Sequence, residues 1–218
     1  MNSNSTPRRS SLHRDNPPLA LSAAVLAGGA STRMGVAKGL LEVHGRPLIS
    51  RVTDVLSSIS DDVLCVTCEP EHYRFEAGRL RFTPDEGGDP RGPLSGIVGA
   101  LAAARHELCI VVALDMPFLN AELLCSLARR AGETTDVVLP LIEGDRPESM
   151  HAVYRRTCLA PARAALAAGQ KKVTSFFEHV EVMRVPPEAL SHIEGYRRSF
   201  INVNTPEELE AARDNNGH

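Results

Sequence analysis

The chain has 218 residues, of which 43% are hydrophobic and 23% are charged, enough for one globular domain with a sizeable core. The formal net charge of −3 indicates no overall basic surface for nucleic acid. With three Tyr and no Trp, the chain has few aromatic side chains on which bases could stack. No apolar run approaches the roughly 18 residues that a membrane span needs. We therefore expect neither nucleic acid nor membrane as a partner.

Residues 1–20 are rich in Ser, Asn, Arg and Pro and lack hydrophobic periodicity, which predicts a disordered tail. A single domain is expected over residues 21–214. Apolar runs predict strands at 23–26, 40–43, 63–66, 80–82, 108–114, 136–140, 150–154, 180–185 and 200–203. Helices are predicted at 48–59, 92–101, 120–130 and 158–168, and after a cap at Thr205. This alternation indicates an α/β fold with a largely parallel sheet covered by helices on both faces.

The first expected strand runs into a glycine-rich basic loop. Gly28 and Gly29 allow a ligand to approach the backbone closely, and successive N–H groups in such a turn can converge on an anion. Arg33 and Lys38 add a guanidinium fork and an ammonium suited to phosphate oxygens. The stretch therefore predicts a polyphosphate site, although its spacing matches neither common phosphate-binding motif and an ordinary loop stays open on these residues alone.

Asp115 directly follows the apolar run 108–114 and precedes Met-Pro. In open α/β sheets, ligands collect beyond the carboxyl ends of the strands, where the glycine loop and Asp85 are also expected. A carboxylate there suits Mg²⁺, which takes oxygen ligands from one or two carboxylates together with substrate phosphates. The alternative is a turn-forming Asp before Pro, and the glycine loop favours the metal site.

Five cysteines lie mostly inside apolar runs: Cys65, Cys68, Cys109, Cys125 and Cys158. An odd, buried set is typical of free thiols in a reducing compartment, so we expect a cytoplasmic protein. Cys65 and Cys68 form a CxxC pair, which leaves a redox or metal role open. Because the pair is single and lies on an expected strand, buried thiols are favoured.

The string LAGGxSxRMGxxK at 26–38 resembles the signature of enzymes that transfer a nucleoside monophosphate from its triphosphate, most closely the molybdenum cofactor guanylyltransferases. Further matching strings are GPLxG at 92–96, LDMPFL at 114–119, RPxxxxAxY at 146–154 and NVNTPEEL at 202–209. The resemblance implies a Rossmann-like three-layer αβα sandwich of the nucleotide-diphospho-sugar transferase type.

The same resemblance implies site residues. It implies that the nucleotide is contacted by Leu26, Ala27, Gly28, Gly29, Lys38, Thr67, Asp85, Gly92, Pro93, Leu94 and Asp115. Thr67 stands where some members of the family carry Asn. It implies catalytic roles for Arg33, Lys38 and Asp115. It also implies that Asp115 and Asn204 bind Mg²⁺. His151, Lys171 and Lys172 fall on the pterin side. On the residues alone, a core histidine, a solvated lysine pair and a turn-forming Asn204 remain alternatives.

The implied reaction joins GMP from GTP to the phosphate of molybdopterin, with release of pyrophosphate and Mg²⁺ as cofactor. Its implied partners are GTP, molybdopterin with or without molybdenum, cofactor-inserting proteins and recipient molybdoenzymes. Two related activities stay open, molybdopterin cytidylyltransferase and sugar-1-phosphate nucleotidyltransferase, as does a GTP-sensing or carrier module without catalysis. The LAGG string, where cytidylyl relatives usually show LAAG, and the GPLxG string favour guanine.

Overall fold

A computed structural model describes residues 20–28, 37–86, 92–142 and 145–204, and the single positions 208 and 211. Several sequence predictions concern residues outside these ranges and stay predictions. They are the disordered tail as far as residue 19, the roles of Gly29 and Arg33, and the helix cap at Thr205. Within the described residues, no helix is long and apolar enough to cross a lipid bilayer.

A central sheet organises the described part of the chain. The strands of the described residues, in chain order, are β1 (Leu21–Leu26), β2 (Glu42–Val43), β3 (Arg46–Pro47), β4 (Asp62–Val66), β5 (Arg81–Thr83), β6 (Leu108–Ala113), β7 (Val137–Ile142), β8 (Arg146–Pro147), β9 (His151–Arg155) and β10 (Val182–Val185). Strands β2 and β3 form a hairpin. The hairpin stands apart from the sheet, whose strand order is β10-β7-β9-β6-β1-β4-β5, with β8 paired to β7.

Most neighbouring strands run parallel, as predicted. Strand β1 is parallel to both β4 and β6, and the pairs β4–β5 and β7–β10 are parallel as well. Strand β9 is antiparallel to β6 on one side and to β7 on the other. The carboxyl ends of β1, β4, β5 and β6 therefore lie at one edge of the sheet.

Helices cover both faces of the sheet, which confirms the three-layer αβα architecture. They are α1 (Leu48–Ile59), α2 (Pro93–Ala103), α3 (Ala121–Arg129) and α4 (Leu159–Ala167), and short 3₁₀ segments occur between other elements. Successive side chains of a strand point to opposite faces. Ala23 and Val25 of β1 accordingly pack into the core under α1 and α3, whereas Ala24 and Leu26 pack into the core under α2 and α4.

The segment expected as a last strand over 200–203 is not a strand, and this prediction is wrong. Tyr196–Phe200 forms a 3₁₀ helix, and the residues up to Asn204 have no regular secondary structure. The apolar pattern has another cause, because Val203 is fully buried and its N–H donates to the carbonyl of Asp115 at 2.8 Å. The segment therefore passes the carboxyl end of β6 and does not pair along it.

Candidate functional site

The segments that leave β1, β4 and β6 emerge side by side because backbone pairing continues beyond the strand ends. The N–H of Ala27 donates to the carbonyl of Val66 at 2.9 Å, and the N–H of Leu114 donates to that of Leu26 at 3.3 Å. The residues that follow β1 and β6 are thereby held within reach of one another. This is the edge of the sheet at which the sequence predicts ligand binding.

Lys38, Asp115 and Asn204 meet at this edge, and we call them the Lys38 cluster. The Lys38 ammonium lies 2.9 Å from Oδ2 of Asp115 and 2.7 Å from Oδ1 of Asn204. The Lys38 and Asp115 side chains are each 22% exposed, so a ligand can reach them. The structure thus brings together three residues to which the sequence analysis gave site roles.

Gly39, which the sequence analysis did not single out, lets Lys38 approach the core. A Cβ atom there would lie 2.6 Å from Cε1 of Tyr73 and 3.0 Å from Cδ2 of Leu114. Neither a buried tyrosine nor a buried leucine can move away freely. The lysine therefore depends on a neighbour without a side chain.

Glu148 places a second carboxylate near the Lys38 cluster and was also missed. Its Oε1 accepts the N–H of Met150 at 3.0 Å, and its own N–H donates to the carbonyl of Pro140 at 2.9 Å. Burial, with a smaller contribution from the negative charge of Asp115, raises the pKa of Glu148. The glutamate inside the RPxxxxAxY string is the signal that could have identified it.

The oxygen atoms of the Lys38 cluster suit a hard divalent cation. A carboxylate and an amide oxygen already hold the Lys38 ammonium between them, so this pair of atoms accommodates positive charge. Among the described residues, no group of three or more His, Cys, Asp and Glu could hold a metal ion. One carboxylate and one amide oxygen are the hard ligands that Mg²⁺ takes in proteins, together with water and substrate phosphates.

Asp85 forms the other side of the site. Its Oδ1 accepts the thiol of Cys68 at 2.6 Å, and its Oδ2 lies 3.3 Å from the hydroxyl of Ser95. A Cβ atom on Gly28 would lie 3.9 Å from Asp85 Oδ2, so this carboxylate faces the start of the glycine-rich loop. Asp85 and Gly28 thus meet as expected, with Cys68 and Ser95 as additional partners.

Thr67 does not reach the surface of the site. Its side chain is buried, and its hydroxyl accepts the N–H of Glu69 at 3.1 Å. Cys68, one position further, is exposed and contacts Asp85. At the end of β4, Cys68 and not Thr67 therefore presents its side chain at the surface beside Asp85.

The turn that begins α2 packs against the segment that holds the two lysines. Gly92 is the residue before the helix, Pro93 its exposed first residue, and Leu94 is buried. The N–H of Leu94 donates to the carbonyl of Lys171 at 3.4 Å. Lys171 and Lys172 are exposed, so their charges are available to a ligand beside this turn.

His151 lies in the core, away from any surface that a pterin could reach. It has no exposed area, its ring packs edge-on against Phe200, and its Nε2 lies 3.3 Å from the hydroxyl of Ser199. Burial lowers its pKa to about 3, which keeps the imidazole neutral. The structure supports the alternative of a structural histidine.

The two cysteines of the CxxC string lie in different surroundings. All five are free thiols. Cys65 is buried in the sheet and Cys68 is exposed beyond its end, and burial raises the pKa of Cys65 to about 12. The string therefore presents one buried and one exposed thiol, which no disulfide joins.

The strand order, the helices on both faces and the Lys38 cluster at the carboxyl edge place the chain among the α/β nucleotidyltransferases. A family model described as the MobA-like NTP transferase domain matches residues 23–184. The chain belongs to the MobA-like NTP transferase family.

Curated relatives match over nearly the whole chain. One, a probable molybdenum cofactor guanylyltransferase of Pelotomaculum thermopropionicum, is 39% identical over 191 residues, which cover 87% of this chain and 90% of the relative. Another of the same description, from Natranaerobius thermophilus, is 31% identical over 195 residues, 88% of this chain and 95% of the relative.

A solved structure agrees with these relatives. Molybdopterin-guanine dinucleotide biosynthesis protein A of Archaeoglobus fulgidus superimposes with a TM-score of 0.73 at 29% identity, covering 88% of this chain and 96% of that one.

Proposed function

We propose that this chain transfers GMP from GTP to the phosphate of molybdopterin, forming the guanine dinucleotide form of the molybdenum cofactor and releasing pyrophosphate. The observation that carries the proposal is the Lys38 cluster, in which an ammonium, a carboxylate and an amide oxygen lie within hydrogen-bonding distance at the carboxyl edge of the sheet. The names of the relatives support the choice of GTP and of the pterin acceptor.

The reaction requires the protein mainly to position the two substrates and to neutralise the charge of their phosphates. An oxygen of the pterin phosphate attacks the α-phosphorus of GTP, and the bond from that phosphorus to the oxygen bridging the β-phosphate breaks. Because the attacking oxygen is already anionic, no strong general base is needed. Lys38 offsets the charge that develops on the departing pyrophosphate, and Arg33 shares this role.

Asp115 and Asn204 would hold Mg²⁺, and the carboxyl group of Glu148, whose pKa is raised by burial, lies nearby. When bound, the ion supplies charge neutralisation of the phosphate oxygens. Lys38 bonds to both residues that would hold the ion, so its ammonium would exchange these partners for phosphate oxygens of the bound triphosphate.

Asp85 is assigned to the guanine base. A carboxylate accepts two hydrogen bonds, and guanine offers two neighbouring donors, its N1–H and its N2 amine. Cys68 donates to one oxygen of this carboxylate and so holds its orientation. The hydroxyl of Ser95 lies 3.3 Å from the other oxygen and donates to the carbonyl of Gly92 at 2.7 Å. Cytosine lacks that pair of donors, which distinguishes the guanylyl reaction from its cytidylyl counterpart.

Lys171 and Lys172 are assigned to the phosphate of the acceptor, because both are exposed and Lys171 adjoins the turn that begins α2. We place the reaction in the cytoplasm, consistent with five free thiols, and expect cofactor-inserting proteins and recipient molybdoenzymes to take up the product.

A comparison of nucleotides tests the base assignment. With Mg²⁺ present, GTP is expected to raise the melting temperature more than CTP, ATP or UTP at equal concentration, because the nucleotide that binds tightest stabilises most. Equal shifts for all four would contradict the assignment of Asp85 to guanine.

A further inference from the structure

An ion pair joins the residue after Asp85 to helix α4. The carboxylate of Glu86 accepts two hydrogen bonds from the guanidinium of Arg163, one from Nε and one from Nη2, each at 2.7 Å. Arg163 lies within α4, 77 positions further along the chain. Two parallel bonds between a guanidinium and a carboxylate fix the orientation of both groups. We call this contact the Glu86–Arg163 pair.

Helix α2 holds the backbone beside Asp85 from another direction. The N–H of Glu86 donates to the carbonyl of Ser95 at 3.1 Å. A Cβ atom on Gly99 would lie 2.5 Å from the carbonyl oxygen of Pro84, so the chain touches the helix here with no side chain between them. The ion pair therefore adds a second support, from α4, to a segment that α2 already supports.

The chain that follows α4 makes a further contact with this part of the site. Shortly after the helix ends, the carbonyl of Lys171 accepts the N–H of Leu94 at 3.4 Å. A Cβ atom on Gly92 would lie 2.9 Å from Cβ of Lys171. The segment from α4 to Lys171 therefore contacts the base side of the site at two places, Glu86 and the turn that begins α2.

The Glu86–Arg163 pair lies at the surface, so its effect on global stability should be small. The side chains of Glu86 and Arg163 are 41% and 47% exposed, and exposed ion pairs contribute little to the free energy of unfolding. Its local effect is different, because Glu86 adjoins the carboxylate of Asp85 in the chain. A small displacement of a positioned group is enough to weaken its bonds to a ligand.

We propose that Arg163 is a positioning residue for the choice of base. It holds Glu86, and through it keeps the carboxylate of Asp85 oriented toward the N1–H and N2 donors of guanine. This role rests on the proposed function, which assigns Asp85 to the base. Because cytosine lacks that pair of donors, the Glu86–Arg163 pair strengthens the binding of GTP and not that of CTP.

Calorimetric titration of the full chain with GTP and with CTP, each in the presence of Mg²⁺, tests this proposal. Arg163→Gln is expected to raise the Kd for GTP about three- to tenfold, the range for one weakened hydrogen bond, and to leave the Kd for CTP unchanged. Glu86→Gln should have the same effect and decides the test if Arg163→Gln does not fold. The double variant Glu86→Arg with Arg163→Glu, which exchanges the partners of the ion pair, should recover part of the preference for GTP.

Arg156→Gln is the matched control, because it removes an exposed arginine from the 3₁₀ segment Arg156–Cys158 just before α4. Its melting temperature and that of Arg163→Gln should be alike, and its preference for GTP should equal that of the unmodified chain. If the unmodified chain prefers GTP and Arg163→Gln keeps the same ratio of the two Kd values, or weakens both nucleotides equally, this proposal alone is overturned. If the unmodified chain binds GTP and CTP alike, the assignment of Asp85 to guanine fails, and the role of Arg163 fails with it.

Discussion

The ammonium of Lys38 lies 2.7 Å from Oδ1 of Asn204, although 166 residues separate them in the sequence. Asn204 reaches this position because the N–H of Val203 donates to the carbonyl of Asp115, and its own N–H donates to Oε2 of Glu208 at 2.6 Å. The segment that ends in Asn204 is therefore part of the site, and the Lys38 cluster is complete only when that segment is docked.

Replacing Asp115 with Asn should remove most of the activity and leave the fold intact. The substitution keeps the size of the side chain but removes the charge proposed to hold Mg²⁺, so the rate of pyrophosphate release should fall about a hundredfold or more. The ion pair with Lys38 is partly exposed, so the cost in stability should stay within about 1 kcal/mol.

Asp61→Asn is the matched control for that substitution, since this carboxylate is 82% exposed and pairs with His106 away from the site. Steady-state kinetics with GTP, Mg²⁺ and molybdopterin compare the two variants. Near-normal turnover in Asp115→Asn would refute the role of this aspartate.

Gly99→Ala should destabilise the protein, against the usual preference of helices for Ala over Gly. A Cβ atom at this position of α2 would lie 2.5 Å from the carbonyl oxygen of Pro84 and 3.1 Å from Cα of Asp85. Forcing these backbone atoms apart should cost about 1–3 kcal/mol in the free energy of unfolding and weaken GTP binding. Urea titrations measure the first effect, with Gly132→Ala as control because that Cβ meets no atom within 4 Å. Equal stability of the two variants would contradict the close approach.

Cys68→Ala should raise the Kd for GTP about two- to tenfold, the range expected for one hydrogen bond that orients Asp85. Cys68→Ser, which restores a donor, should recover part of the affinity. Cys125→Ala, a half-buried thiol on α3, controls for the loss of a thiol elsewhere. If Cys68→Ala binds GTP like the unmodified chain, the thiol does not orient the carboxylate.

The stability of the protein should fall as the pH drops below about 6.5, partly through His151. Its pKa is about 3 in the folded chain and about 6.5 unfolded, so between these values the unfolded state binds the extra proton. The neutral ring stabilises the fold fully above pH 6.5, and this contribution shrinks by up to about 1.4 kcal/mol per pH unit as the pH falls.

Urea unfolding at several pH values between 4 and 8 measures this dependence. His151→Met should flatten it, whereas His192→Gln, which changes an exposed histidine, should not. An unchanged slope in His151→Met would show that another group causes the acid sensitivity.

The sequence predicts the layers of the fold and much of the site because both depend on local signals. The apolar run of β6 requires a strand buried on both faces, and its carboxyl end carries Asp115 to the edge where β1 delivers the glycine-rich loop. The charge of Lys38 in the glycine-rich loop indicated a phosphate ligand, and the family strings indicated Asn204. Both residues meet Asp115 at that same edge.

Other features depend on tertiary contacts that a sequence pattern does not encode. Strand β9 is antiparallel to its neighbours, but its apolar residues have the same spacing in either direction. At the end of β4, a shift of one residue turns a side chain to the opposite face, which is why Cys68 and not Thr67 meets Asp85. Val203 is apolar because it is buried in the core under α1 and α3, and from sequence this is indistinguishable from a residue of a strand.

Incubation of the protein with molybdopterin, Mg²⁺ and each of the four α-labelled nucleoside triphosphates in turn tests the central claim most directly. The account predicts that label from GTP becomes covalently attached to the pterin, with one pyrophosphate released per attachment, and that the other three nucleotides give little product. Attachment of CMP in preference to GMP, or tight GTP binding without attachment, would contradict it.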